Sequence, residues 1–96
     1  MSVRLVVTLT AAPGKGTDFA QVFKNRCVEV MKEPGCEQFE VFQSVIDPDK
    51  LALLELWADQ AALDEHAKLN ATRAPIPAGL RVGMGEREDY AYNRTR

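Results

Sequence analysis

The stretch LLELWADQAALDEHAKL, Leu53–Leu69, joins an apolar extended segment to an amphipathic helix and contains His66, the only histidine of the chain. Asp59 marks the junction, since an aspartate directly before a helical pattern caps free backbone N–H groups of the first turn. The apolar side of this helix carries Ala62, Leu63, His66 and Ala67. This strand followed by a capped helix is the starting point for predicting the rest of the fold.

The extended part of this stretch is apolar on both faces. Leu54 and Leu56 share one face of the strand, while Leu53 and Trp57 share the other. Because two helices can cover only one face of a sheet, we expect the second face to pack against the sheet of an identical subunit, which predicts a homodimer. The alternative is that the segment 70–86 folds over Leu54 and Leu56.

The remaining sequence predicts the order β-α-β-β-α-β. Strands are expected over 3–10, 38–46, 51–58 and 87–95, and helices over 17–32 and 59–69, separated by turns rich in Pro and Gly. Asp18 and Gln21 have the spacing of a capping pair for the first helix. This order is typical of a single ferredoxin-like α+β domain, here 1–96, with two helices on one face of an antiparallel sheet.

Composition excludes several classes of protein. A chain of 96 residues with 27% charged residues and a net charge of −2 favours neither a nucleic-acid partner nor an anionic membrane. No apolar run has the length of a membrane span or the order of a secretory leader, so we expect a cytoplasmic protein. Cys27 and Cys36 form no CxxC motif, which predicts free thiols and no metal site.

The segment EPGCEQFEVFQSVIDPDKLALLELWADQAALDEHAKL, Glu33–Leu69, resembles the antibiotic biosynthesis monooxygenase (ABM) family of dimeric α+β barrels, which includes cofactor-free quinol monooxygenases. The resemblance depends on the EPGC turn, the aromatic-rich strand after it, the DP hairpin, and the acidic residue followed by AAL at the start of the second helix. It also depends on E-x-W at Glu55 and Trp57 and on EH at Glu65 and His66. The segment NATRAPIPAGL, 70–80, departs from the family pattern, in which an H-F pair follows the second helix.

The resemblance implies a homodimer with a pocket between sheet and helices in each subunit. Family enzymes oxidise quinol or polyphenol substrates with molecular oxygen, without metal or flavin, so no cofactor is expected. The implied catalytic residue is His66, whose neutral imidazole can accept a phenol proton. The implied contacts to a small aromatic substrate are Trp57, Phe42, Tyr90 and Tyr92.

Each candidate also has a structural interpretation. His66 can be a hydrogen-bonded residue at the border of the core, Trp57 a packing residue, and the two tyrosines part of the dimer seam. For Glu55, if it is buried, we expect an ion pair with Arg4, Arg81 or Arg94. Two other functions stay open: a non-catalytic ligand-binding or stress-associated protein of the same fold, and an isomerase that uses His66 as a proton shuttle without oxygen.

Overall fold

A computed structural model describes residues 1–96 and contains the predicted β-α-β-β-α-β order. The elements are β1 (Val3–Thr10), α1 (Gly16–Val30), β2 (Cys36–Gln43), β3 (Lys50–Trp57), α2 (Gln60–Asn70) and β4 (Glu86–Ala91). The strands form one sheet in the order β2-β3-β1-β4, and each neighbouring pair is antiparallel. The predicted ferredoxin-like α+β fold is confirmed. No helix combines the length and the apolar character needed to cross a membrane.

Both helices pack on the same face of the sheet, here called the inner face. Alternation along β1 and β3 directs Leu5, Leu53 and Trp57 to this face, where they meet Phe19 of α1 and Leu63 of α2 in one buried cluster. The indole of Trp57 has no solvent exposure. The inner face is therefore the hydrophobic core of the chain.

The opposite face of the sheet, the outer face, is only partly covered within the chain: Leu56 is buried there, but other side chains are exposed. Phe42 is 45% exposed and Tyr90 is 51% exposed, although both belong to the sheet. The segment between α2 and β4 does not cover this face, because its apolar residues Ile76 and Leu80 pack against the core on the inner side. The alternative in which that segment folds over the outer face is therefore wrong.

The start of α1 is held by a residue from another part of the chain. The expected capping pair, Asp18 and Gln21, is wrong, because no side chain of the helix caps its first turn. Instead the carboxylate of Asp49 accepts hydrogen bonds from the backbone N–H groups of Gly14 and Gly16, each at 3.0 Å. A Cβ atom on Gly16 would lie 1.8 Å from the carbonyl oxygen of Pro48, so only glycine fits here. These contacts hold the β2–β3 turn against the start of α1.

Two predicted strands are longer than the strands in the structure. The hydroxyl of Ser44 accepts hydrogen bonds from the backbone N–H groups of Ile46 and Asp47, which bends the chain into a turn after β2. Val45 is consequently fully exposed. Strand β4 ends at Ala91, so Tyr92 follows the strand, with its backbone N–H bonded to the carbonyl of Ser2.

Candidate functional site

A cavity of about 690 Å³ lies between the inner face of the sheet, α2 and the segment that leads to β4. This volume is within the range of pockets that hold small molecules. Its apolar lining includes Leu5, Leu9, Phe23, Phe39 and Leu53. Its charged and titratable lining includes Arg26, Glu55, Asp64, His66, Arg81 and Arg87. A cavity that combines apolar side chains with several charged groups is suited to an aromatic molecule that carries polar substituents.

His66 reaches the cavity from the buried side of α2. Its spacing from Leu63 places both residues on the face of the helix that contacts the sheet, and His66 is 8% exposed. The imidazole ring packs against the indole of Trp57, with ring centroids 4.6 Å apart, and against Phe39 at 5.6 Å. Aromatic contacts on two sides fix the orientation of the ring.

A carboxylate holds one nitrogen of this imidazole. The Nδ1 atom of His66 lies 2.9 Å from Oε1 of Glu33, which belongs to the turn between α1 and β2. The other oxygen of Glu33 forms an ion pair with Nη2 of Arg73 at 2.7 Å. Since the carboxylate is paired with a guanidinium, Nδ1 of His66 carries the hydrogen of this contact. The neutral ring then has its lone pair on Nε2, which has no hydrogen-bond partner in the chain.

Glu55 is the second buried acid at the cavity. It lies on the inner face of β3, is 6% exposed, and accepts a hydrogen bond from Nε1 of Trp57 at 3.0 Å. Burial raises the pKa of the Glu55 carboxyl above its ordinary value, against the lowering effects of the Trp57 hydrogen bond and of the charge on Arg87. A carboxyl group with a raised pKa that lines a cavity is a candidate for proton transfer.

None of the three arginines expected to pair with Glu55 does so. The guanidinium of Arg4 donates to the side chain of Gln38, and its only contact with Glu55 is a 3.5 Å hydrogen bond to the backbone carbonyl on the outer side of the strand. The Arg81 side chain contacts the sulfur of Met84, and Arg94 donates to the carbonyl of Arg96. The expected ion pair is wrong, because the neighbour two residues along the same face, Trp57, supplies the partner.

Most of the chain matches a known protein family. Residues 2–76 match the family model "Antibiotic biosynthesis monooxygenase". The chain belongs to the antibiotic biosynthesis monooxygenase family. The family predicted from the EPGC, E-x-W and EH motifs is therefore confirmed. None of the curated proteins matches the chain significantly.

Solved structures share the complete fold with this ABM-family chain. A conserved protein from Methanosarcina mazei Go1 is 24% identical, with a TM-score of 0.78 over 97% of this chain and 94% of the other. PA3566 from Pseudomonas aeruginosa is 24% identical, with a TM-score of 0.79 over 97% and 95% of the two chains. A Chloroflexus aurantiacus J-10-fl protein whose name refers to the same family is 21% identical, with a TM-score of 0.77 over 100% and 97%. At these identities the likeness concerns the fold.

The structure brings together only part of the predicted site. His66 and Trp57 are in ring contact, but Trp57 is completely buried behind the cavity lining, and its N–H is taken by Glu55. Phe42 and Tyr90 project from the outer face, on the side of the sheet opposite to His66. Tyr92 lies beyond β4, with the guanidinium of Arg4 5.3 Å from its ring centroid. The structure therefore does not place these three aromatic residues at the cavity.

Two acids at the site were not among the predicted site residues. In the sequence Glu33 belongs only to a turn motif, and no local pattern connects it with His66, which lies 33 positions further along the chain. The sequence marks Glu55 as a residue that needs a partner, and its alternation with Trp57 is the signal that could identify that partner.

The cysteines take no part in the site. Both are free, as predicted, and neither lines the cavity. Burial raises the pKa of Cys36 to about 11, with smaller contributions from nearby acids, so this thiol is protonated at neutral pH and is a poor nucleophile.

Proposed function

We propose that this ABM-family protein is a cofactor-independent monooxygenase that oxidises a small hydroxylated aromatic with molecular oxygen, and that His66 is its general base. The observation that carries the proposal is the imidazole of His66 at a partly apolar cavity, with Nδ1 held by Glu33 and Nε2 without a partner. A base must present a lone pair to the proton that it removes, and this arrangement leaves Nε2 in that state.

In the proposed reaction, Nε2 of His66 accepts the proton of a phenolic hydroxyl, and Glu33 stabilises the resulting imidazolium. The phenolate is a stronger reductant than the phenol and transfers electrons to oxygen. The substrate loses two hydrogen atoms and gains one oxygen atom, while the second oxygen atom leaves as water, so the substrate supplies all four electrons. The apolar lining contributes by keeping water away from the charged intermediate.

Oxygen consumption tests this proposal. Purified protein is supplied with a panel of quinols, and uptake is followed with an oxygen electrode for the wild type, His66→Ala and the control Lys68→Ala, whose side chain is exposed on the same helix. Loss of the base is expected to lower kcat by about 100-fold or more, while the control keeps its rate. Unchanged turnover in His66→Ala would exclude a catalytic role for His66.

An isomerase is the second candidate, and it is favoured by the same pair of His66 and Glu33, since a histidine held by a carboxylate can move protons without oxygen. Solvent proton exchange into a bound phenol or enol, without oxygen uptake, distinguishes this reaction from the monooxygenase. A rise in melting temperature on ligand addition, with neither exchange nor uptake, indicates a non-catalytic binding protein.

We propose that the chain is a homodimer whose outer sheet faces pack together. The support for this is that Phe42 and Tyr90 are half-exposed and share with Leu54 the outer face, most of which no segment of the chain covers. Aromatic and aliphatic side chains left uncovered on a sheet face are common at interfaces between subunits. Light scattering at micromolar concentration is expected to give twice the chain mass, and a stable mass of 10.7 kDa would exclude the dimer.

A further inference from the structure

We propose that Arg81 binds a carboxylate group at one end of the cavity, so that the ligand is an elongated aromatic acid with its hydroxylated ring at His66. The inference rests on the proposed function in using the same cavity, and it adds the charge and the length of the molecule that the cavity takes. It depends on the anchoring of Arg81, on its lack of an acidic partner, and on its separation from Glu55.

The backbone around Arg81 is anchored to the sheet. The N–H of Ala12 donates to the carbonyl of Leu80 at 3.0 Å, and the N–H of Val82 donates to the carbonyl of Thr10 at 2.8 Å. Between these bonds, Arg81 forms an antiparallel bridge with Ala11. Because Ala11 is buried on the inner side and paired residues project to the same side, the side chain of Arg81 is directed to the helix-covered side, where it lines the cavity.

Arg81 differs from the other arginines of the cavity in its partners. The Arg87 guanidinium makes two hydrogen bonds of 2.7 Å to the carboxylate of Asp89. The Arg26 guanidinium donates to the side-chain oxygen of Asn70 and to the carbonyl of Ala74.

The Arg81 guanidinium is half-buried, and its one side-chain contact is with the sulfur of Met84 at 3.5 Å. A thioether is a weak acceptor, and Met84 is an exposed side chain that a ligand can displace. No acidic residue forms an ion pair with Arg81. Arginine presents a planar set of donors that matches a carboxylate, so this guanidinium is ready to bind an anion.

The sheet register separates Arg81 from the second acid of the cavity. Glu55 is paired with Leu5, and Arg81 is paired with Ala11, at the other end of β1. Six residues of extended chain correspond to about 20 Å between the two backbones, part of which the arginine side chain covers. A carboxylate at Arg81 is therefore far from the charge of Glu55, while the apolar side chains of Val7 and Leu9 lie between them along the cavity. An elongated acid with two linked rings spans more of this length than a single-ring acid does.

A matched pair of ligands tests the inference. The probes are 4′-hydroxybiphenyl-4-carboxylate and its neutral carboxamide, which differ only in charge at the end opposite the hydroxyl group. Calorimetric titration at fixed ionic strength is expected to show about 10- to 100-fold tighter binding of the carboxylate to the wild type. Arg81→Gln is expected to abolish this preference while it leaves the affinity for the carboxamide within about twofold. Arg81→Lys is expected to restore part of the preference, since it keeps the charge and loses the planar donors.

Arg94→Gln is the control, because Arg94 lies in the C-terminal tail and donates only to the carbonyl of Arg96. Equal affinity of the wild type for the two probes, or failure of the carboxylate to bind at millimolar concentration, would overturn the inference. Loss of both ligands in Arg81→Gln would assign Arg81 a structural role instead and would overturn it as well.

Oxygen uptake separates this inference from the proposed function. A preference for the carboxylate that depends on Arg81, without oxygen uptake for any quinol, supports the anion site and contradicts the monooxygenase. Uptake with neutral quinols, together with equal binding of the two probes, supports the monooxygenase and contradicts the anion site.

Discussion

The two faces of the sheet are built from the same strands, yet only one of them is a core. On the inner face, Trp57 and Leu5 are almost completely removed from solvent. On the outer face, Phe42 and Tyr90 keep about half of their exposure. The crossovers β1-α1-β2 and β3-α2-β4 join parallel strands, and their common right-handedness places both helices on the same side. Alternation along a strand therefore shows which side chains share a face, whereas the crossovers decide which face the helices cover.

The largest expected effect is the loss of the central side chain of the inner face. Trp57→Ala is expected to lower the free energy of unfolding by about 3–5 kcal/mol, because it opens a cavity in the core. Phe42→Ala on the outer face is expected to cost less than about 1 kcal/mol when it is measured below the concentration at which chains associate. Urea unfolding measures both values. Similar costs for the two variants would mean that the faces are equally buried within one chain.

The second prediction concerns association through the outer face. Phe42→Glu replaces a side chain that is 45% exposed on the outer face and is expected to weaken dimer formation by about 100-fold or more, because an unpaired carboxylate would be buried in the interface. Light scattering over a dilution series measures the change. Val45→Glu is the matched control, since this side chain is fully exposed in a turn and lies outside the outer face. If both variants associate like the wild type, the outer face is not the interface.

The third prediction concerns the role of Glu33 in catalysis by His66. Glu33→Gln removes the anion beside His66 and is expected to lower kcat by about tenfold, because the protonated imidazole loses its charged partner. Glu29→Gln is the control, because Glu29 contacts only the outer part of Arg73 at 3.5 Å and keeps away from His66. An unchanged kcat in Glu33→Gln would contradict this role for Glu33.

The smallest expected effect is on the pH dependence of stability. Burial raises the pKa of Glu55 in the folded protein, so the wild type loses stability as the pH rises from the ordinary carboxyl range through the raised pKa. Glu55→Gln removes this loss, so the variant is expected to melt at a higher temperature than the wild type at neutral pH and at a similar temperature near pH 4. Glu40→Gln on the exposed outer face is expected to leave the pH dependence unchanged. A variant of Glu55 that melts lower at neutral pH would contradict this account.

Much of the fold could be predicted from local patterns. The capped α2 and the two-faced β3 follow from spacing alone. The cap of α1 could not be predicted, because Asp49 comes from a turn more than thirty residues away from Gly16. Patterns within an element report which side chains share a face, but they do not report contacts made after the elements pack.

Some features of the candidate site also follow from the sequence, whereas others depend on how the chain folds. The sequence by itself determined the family, the element order and the buried positions of His66 and Trp57, because each of these depends on motifs and periodicity within short stretches of chain. Only the tertiary structure decided that Glu33 bonds to His66, and that Arg81 lines the same cavity without an acidic partner. Those arrangements depend on strand register and on turns that bring distant residues together. The physical reason is that contacts between helices, strands and turns form only when the chain folds, and these contacts decide which side chains meet at a site.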